Sequence, residues 1–66
     1  MDAKKIAGRL IKLRGDKKQE EVVKAVGISR SALSMYECGE RIPRDEIKVK
    51  LANYYRKSVE EIFFKN

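Results

Sequence analysis

A chain of 66 residues has room for one small domain, and at this size folding buries only about 60% of the unfolded surface. One Cys and no His exclude an internal disulfide, the usual His/Cys zinc clusters and a Ser–His or Cys–His nucleophile. Lys and Arg total 16 against 10 Asp and Glu, a net charge of +6, which favours a polyanion, either nucleic acid or an anionic membrane surface.

The predicted elements are all helical, because the apolar residues recur with helical period and few segments show β-branched alternation. The first helix runs from about residue 2 to 14, with Ile6, Leu10 and Leu13 on one face and Lys5, Arg9 and Lys12 on the other. Asp2 suits its N-cap or first turn, and Gly15 its end. The second runs from about residue 19 to 26, with Val22, Val23 and Val26 apolar, Glu20 and Lys24 paired at i, i+4, and Gly27 beyond. The third, from about 30 to 37, has Ser29 as its cap and Gly39 as its terminator. The fourth follows Pro43, with Asp45 and Glu46 in a first turn that favours negative charge, and with Ile47, Leu51 and Tyr55 at four-residue spacing. The fifth is short and opens on Ser58-Val59-Glu60-Glu61, the spacing of a capping box, before Ile62, Phe63 and Phe64. No helix is long enough to be stable alone in water.

Residues 19–39 carry the functional signal. They read as a helix, the turn Gly27-Ile28-Ser29, and a second helix, the outline of a helix-turn-helix. On a wheel, Ala32, Leu33 and Tyr36 share the inward side of the second helix. Arg30, Ser31, Ser34 and Met35 share the outward side, where a recognition helix meets the major groove. Arg30 suits bidentate pairing with guanine, Ser31 and Ser34 suit bases or phosphates, and Met35 suits a thymine methyl. The plainer reading is a solvated face, which accounts for Ser and Arg better than for Met35.

Ile6, Leu10, Leu13-Arg14, Gln19-Glu20-Glu21-Val22, Val26 to Ser34, Tyr36-Glu37, Gly39, Pro43, Leu51-Ala52 and Ser58 to Phe63 follow one another in a specific order. In that order the chain resembles the lambda-repressor/Cro-type (XRE-family) helix-turn-helix domain over nearly its whole length. The resemblance implies a compact all-α, five-helix domain spanning residues 1–66. It implies a sequence-specific, double-stranded DNA-binding regulator, a repressor by default, bound to a pseudo-palindromic operator as a homodimer. Base contacts then fall to Arg30, Ser31, Ser34 and Met35. Gln19 opens the second helix as a phosphate contact and a brace, and Arg44 is a phosphate contact after Pro43. Arg14 and Glu37 match a structural ion pair. Lys17, Lys18 and Arg41 are generic phosphate candidates. Tyr54, Phe63 and Phe64 are the dimer-interface candidates, with Phe63 expected to be core and Phe64 more exposed.

Four residues and one loop depart from the family pattern. Val23 stands where Ala is usual, which threatens the close approach of the second and third helices. The first loop is short, and Lys18 replaces a Ser/Thr cap, leaving Asp16 as the alternative cap. Arg56 stands where Gly often closes the fourth helix, so positive φ there is strained. Cys38 replaces a commoner polar residue, without a second Cys to support redox sensing.

Other functions have less support. A protein-interaction module, such as an antitoxin or a modulator of another regulator, lacks the extra segment such proteins use to cover a partner. An enzyme lacks His, a metal cluster and a Gly-rich phosphate loop. No cofactor, metal or small-molecule ligand is evident. No apolar run approaches the ~20 residues of a membrane span, the start MDAKKIAGRL has no signal-peptide stretch, and no segment suits a membrane surface. The expected location is cytoplasmic, on DNA.

Overall fold

Capping chemistry sets where each helix begins and ends. The computed structural model describes residues 2–65. Helix α1 (Ala3–Arg14) starts where the Asp2 carboxylate accepts from the backbone N–H groups of Lys4 at 2.9 Å and Lys5 at 3.3 Å, satisfying two donors the helix leaves open. Helix α2 (Gln19–Val26) has no such cap. Lys18 occupies the N-cap position, and the alternative cap expected from Asp16 does not form. Glu20 and Glu21 in the first turn meet the positive end of the helix dipole instead.

Gly27 ends α2 at φ +80°, where its N–H donates to the Val23 carbonyl at 2.8 Å. A side chain there would be strained, so glycine makes this turn possible. Helix α3 (Arg30–Cys38) starts with the Ser29 hydroxyl accepting from Ala32 N–H at 3.0 Å. It ends at Gly39, φ +79°, where an added Cβ would sit 3.4 Å from Lys4 Cα. That close approach seats the end of α3 against the start of α1.

Helix α4 (Asp45–Tyr55) ends at Arg56 with φ +57°. The strain expected at this position is present, because a β-carbon crowds the backbone in the left-handed region. The chain then enters α5 (Glu60–Phe64) through the capping box. Ser58 N–H donates to Glu61 Oε1 at 3.0 Å, and Glu61 N–H donates to Ser58 Oγ at 3.0 Å. Hydrogen bonding by Ser58, first its backbone N–H and then its hydroxyl, holds the Glu61 carboxyl below its ordinary pKa.

In one respect α5 differs from a regular short helix. Lys65 N–H reaches back five residues to the Glu60 carbonyl at 2.9 Å, the wider turn of a π-type helix. More residues per turn bring successive side chains closer in angle. Ile62 and Phe63 therefore both point inward, at 1% and 2% exposure, while Phe64 stays 54% exposed.

The core gathers one stripe from every helix: Ile6 and Leu10, Val22 and Val26, Leu33 and Tyr36, Leu51, and Ile62 with Phe63. Helix α1 packs chiefly on α3, α2 lies against α3 and α4, and α5 returns to α1. Val23 joins this core as a buried residue, so its extra bulk over Ala is accommodated. Burying a side chain the size of Leu33 or Ile62 contributes about 1.5–3 kcal/mol, which is how helices too short to stand alone become stable together. Five helices and their connecting turns account for the described residues, with no strand among them, as an all-α lambda-repressor-like domain requires.

Candidate nucleic-acid interface

Helix α3 presents two kinds of surface. Leu33 and Tyr36 are buried, and Ala32 is partly buried against the core. Arg30 and Ser31 are exposed at the N-terminal end, and Ser34 and Met35 are half-buried on the next turn. The short Gly27–Ser29 turn and the contacts of α3 with α1 and α2 hold this face in place.

A hydrogen-bonded chain braces α3 from behind. Arg14, at the end of α1, grips Glu37 with two bonds, Nε to Oε2 at 2.8 Å and Nη2 to Oε1 at 3.0 Å. Its Nη1 also donates to the Lys17 carbonyl at 2.8 Å, which ties down the α1–α2 loop. Gln19 Nε2 donates to Glu37 Oε1 at 3.0 Å, and Gln19 Oε1 accepts from the Ser34 hydroxyl at 3.4 Å. Arg14, Glu37, Gln19 and Ser34 thus connect α1, α2 and α3. Glu37 is only 6% exposed, and a buried carboxylate needs such partners. The bond to Glu37 holds the Arg14 guanidinium above its ordinary pKa. Gln19 keeps a second amide hydrogen that no bond among the described residues uses.

The Tyr55 ring lies close to this network. Its hydroxyl is buried and has no hydrogen-bond partner among the described residues. Burial, then the negative charge of Glu37 and the neighbouring Tyr54, push its pKa up to about 12. Tyr54 meets Tyr55 edge-on, with ring centroids 5.0 Å apart.

The expected phosphate contacts Lys17, Lys18, Arg41 and Arg44 are all exposed, on the loops before α2 and after α3. The Lys17 ammonium lies 4.9 Å from the centre of the Tyr54 ring, within cation–π range. Among the dimer candidates, Phe63 is a core residue at 2% exposure and has almost no surface to offer a second copy. Tyr54 is half-buried beside Lys17, and Phe64 keeps an open face with the Lys48 ammonium 5.2 Å from its ring centre.

The family model described as Helix-turn-helix matches residues 9–62. The chain belongs to this family. No curated protein and no solved structure shows a significant match to it. This helix-turn-helix chain is therefore a DNA-binding regulator of the lambda-repressor/Cro (XRE) type. Residues 9–62 take in the helix-turn-helix and its brace from Arg14 to Glu37. Among the described residues no cluster of His, Cys, Asp and Glu could hold a metal ion, and no helix is long and apolar enough to cross a membrane.

Sequence reasoning missed two contacts in this helix-turn-helix domain. Lys48 is buried beside Asp45, and Arg9 donates to backbone carbonyls of the last turn. Gln19 at the head of α2 was a visible signal for a brace. Arg9 reads as a cation on the outer face of α1, and nothing in the local sequence marks Lys48.

Proposed function

We propose that the chain represses transcription by binding a pseudo-palindromic operator as a homodimer, with α3 of each copy in successive major grooves. The exposed N-terminal face of α3, bearing Arg30 and Ser31 on a helix braced through Glu37, is the observation that carries this reading. Arg30 pairs with guanine, Ser31 and Ser34 bond to base edges, and Met35 packs on a thymine methyl. Gln19, with its unused amide hydrogen, bonds a phosphate at the same time as it holds Ser34. Lys17, Lys18, Arg41 and Arg44 fix the register on the backbone and supply sequence-independent affinity. A DNA partner places the chain inside the cell.

The second copy docks through the exposed Phe64 of α5 and the half-buried Tyr54 at the end of α4. The exposed ring of Phe64 supports this side of the domain, and the pairing strengthens on DNA. Selection of random duplexes at about 150 mM salt tests the reading. A palindrome with half-sites about 10–10.5 base pairs apart is expected. Binding without an enriched motif, lost as salt rises, overturns sequence-specific recognition and favours a protein partner for the domain.

A further inference from the structure

A cleft of about 210 Å³ opens between α1 and the segment running into α5. Its lining comes from Arg9, Lys12, Leu13, Lys57, Ile62 and Lys65, with Glu61 at the edge. No residue of α3 takes part, so the cleft stands apart from the recognition helix. Leu13, half-buried, is the apolar floor, the buried Ile62 backs it from the core, and the methylene stems of the lysines extend it.

The charged groups on this rim divide into those already engaged and those that are not. Arg9 donates through Nη1 to the Ile62 carbonyl at 2.8 Å and through Nη2 to the Lys65 carbonyl. It acts as a clamp that holds the last turn against α1. The Glu61 carboxylate is bonded within the capping box with Ser58. Lys12, Lys57 and Lys65 make no ion pair among the described residues. Lys57 and Lys65 act on Glu61 only through space. The result is an open apolar cleft, edged by three ammonium groups and one carboxylate already in use.

We propose that this cleft binds a small amphipathic carboxylate, its apolar body on Leu13 and the lysine stems and its head group among Lys12, Lys57 and Lys65. At about 210 Å³ the cleft exceeds the roughly 150 Å³ of a cavity that holds benzene, so it has room for a short apolar body. Charge complementarity selects an anion over a neutral or cationic body, and the apolar floor selects a tail over a bare inorganic ion. The open, small site holds its ligand with an affinity on the order of 1 mM.

Octanoate is the probe, titrated into the full chain labelled with nitrogen-15 and followed by amide chemical shifts. Octanamide and acetate are the controls for charge and for tail. Saturable shifts at Lys12, Leu13, Lys57, Glu61 and Ile62 are expected, with octanamide and acetate each at least about fivefold weaker. The double variant Lys12→Glu/Lys57→Glu, both sites being exposed, is expected to keep the native spectrum and to weaken octanoate about fivefold or more. Equal binding of octanamide or acetate, shifts centred on α3, no saturable shift, or a double variant that is folded and binds as before would each overturn the proposal.

Discussion

Replacing Glu37 by Gln removes one charge from the middle of the domain and changes little in shape. Glu37 accepts three hydrogen bonds, two from Arg14 and one from Gln19, at 2.8–3.0 Å. A hydrogen bond to a charged group contributes about 1.5–3 kcal/mol. The Gln amide keeps one acceptor but turns an NH₂ group toward a guanidinium that needs an acceptor. Arg14 regains part of the loss, because its side chain is 21% exposed and still bonds the Lys17 carbonyl. The expected net cost is about 2–4 kcal/mol, toward the lower part of what breaking a buried pair entails. A 66-residue domain has about 3–10 kcal/mol in all, so Glu37→Gln sits close to the limit of folding.

Urea unfolding followed by circular dichroism reads this directly. With a slope of about 1 kcal/mol per M, the midpoint should fall by about 2 M or more. Converting the pair together, Arg14→Met with Glu37→Leu, should be less damaging than Glu37→Gln alone, since no charge is then left unpaired. A loss below about 0.5 kcal/mol in Glu37→Gln, the range of ordinary surface substitutions, would refute the reasoning. So would single losses that simply add in the double variant, because residues in one network must couple.

Arg56→Gly relieves the only positive φ outside glycine among the described residues and should stabilise the fold by about 1 kcal/mol, raising the melting temperature by about 4–8 °C; an unchanged or lower value counts against strain there. Tyr55→Phe removes a buried hydroxyl without a partner and should be neutral or stabilising by about 1 kcal/mol near neutral pH. The raised Tyr55 pKa means that the unfolded chain loses this proton first, so native stability declines as pH rises from 10 toward about 12; the Phe variant should lose that part of the alkaline decline, and an unchanged pH profile would exclude it. Arg44→Ala should weaken all DNA sequences alike and lower the salt slope by about one per protomer, whereas an altered consensus would make Arg44 a base reader.

Most of the fold is legible because it is written in local chemistry. Asp2, Ser29, Gly27, Gly39 and the Ser58–Glu61 pair each mark a helix end through a bond to their own neighbourhood. The inward set of α3 follows from period alone. The partners of Arg9 and the burial of Lys48 depend on how distant segments dock, and no local pattern encodes them. The π-type last turn belongs with these, since Ile62 and Phe63 enter the core together only once α1 is in place. At the candidate interface, Arg14 and Glu37 are visible through the family pattern. Their link to Ser34 through Gln19 depends on side chains from three helices meeting.

In the proposed mechanism, α3 reads bases through its N-terminal face. Fluorescence anisotropy of Arg30→Ala on a selected operator and on random duplex, at one salt concentration, addresses it most directly. The expected result is a loss of about 1–3 kcal/mol on the operator, relaxed preference at one base pair of each half-site, and a much smaller change on random DNA. Equal losses on both duplexes would contradict it and reduce Arg30 to one more phosphate contact.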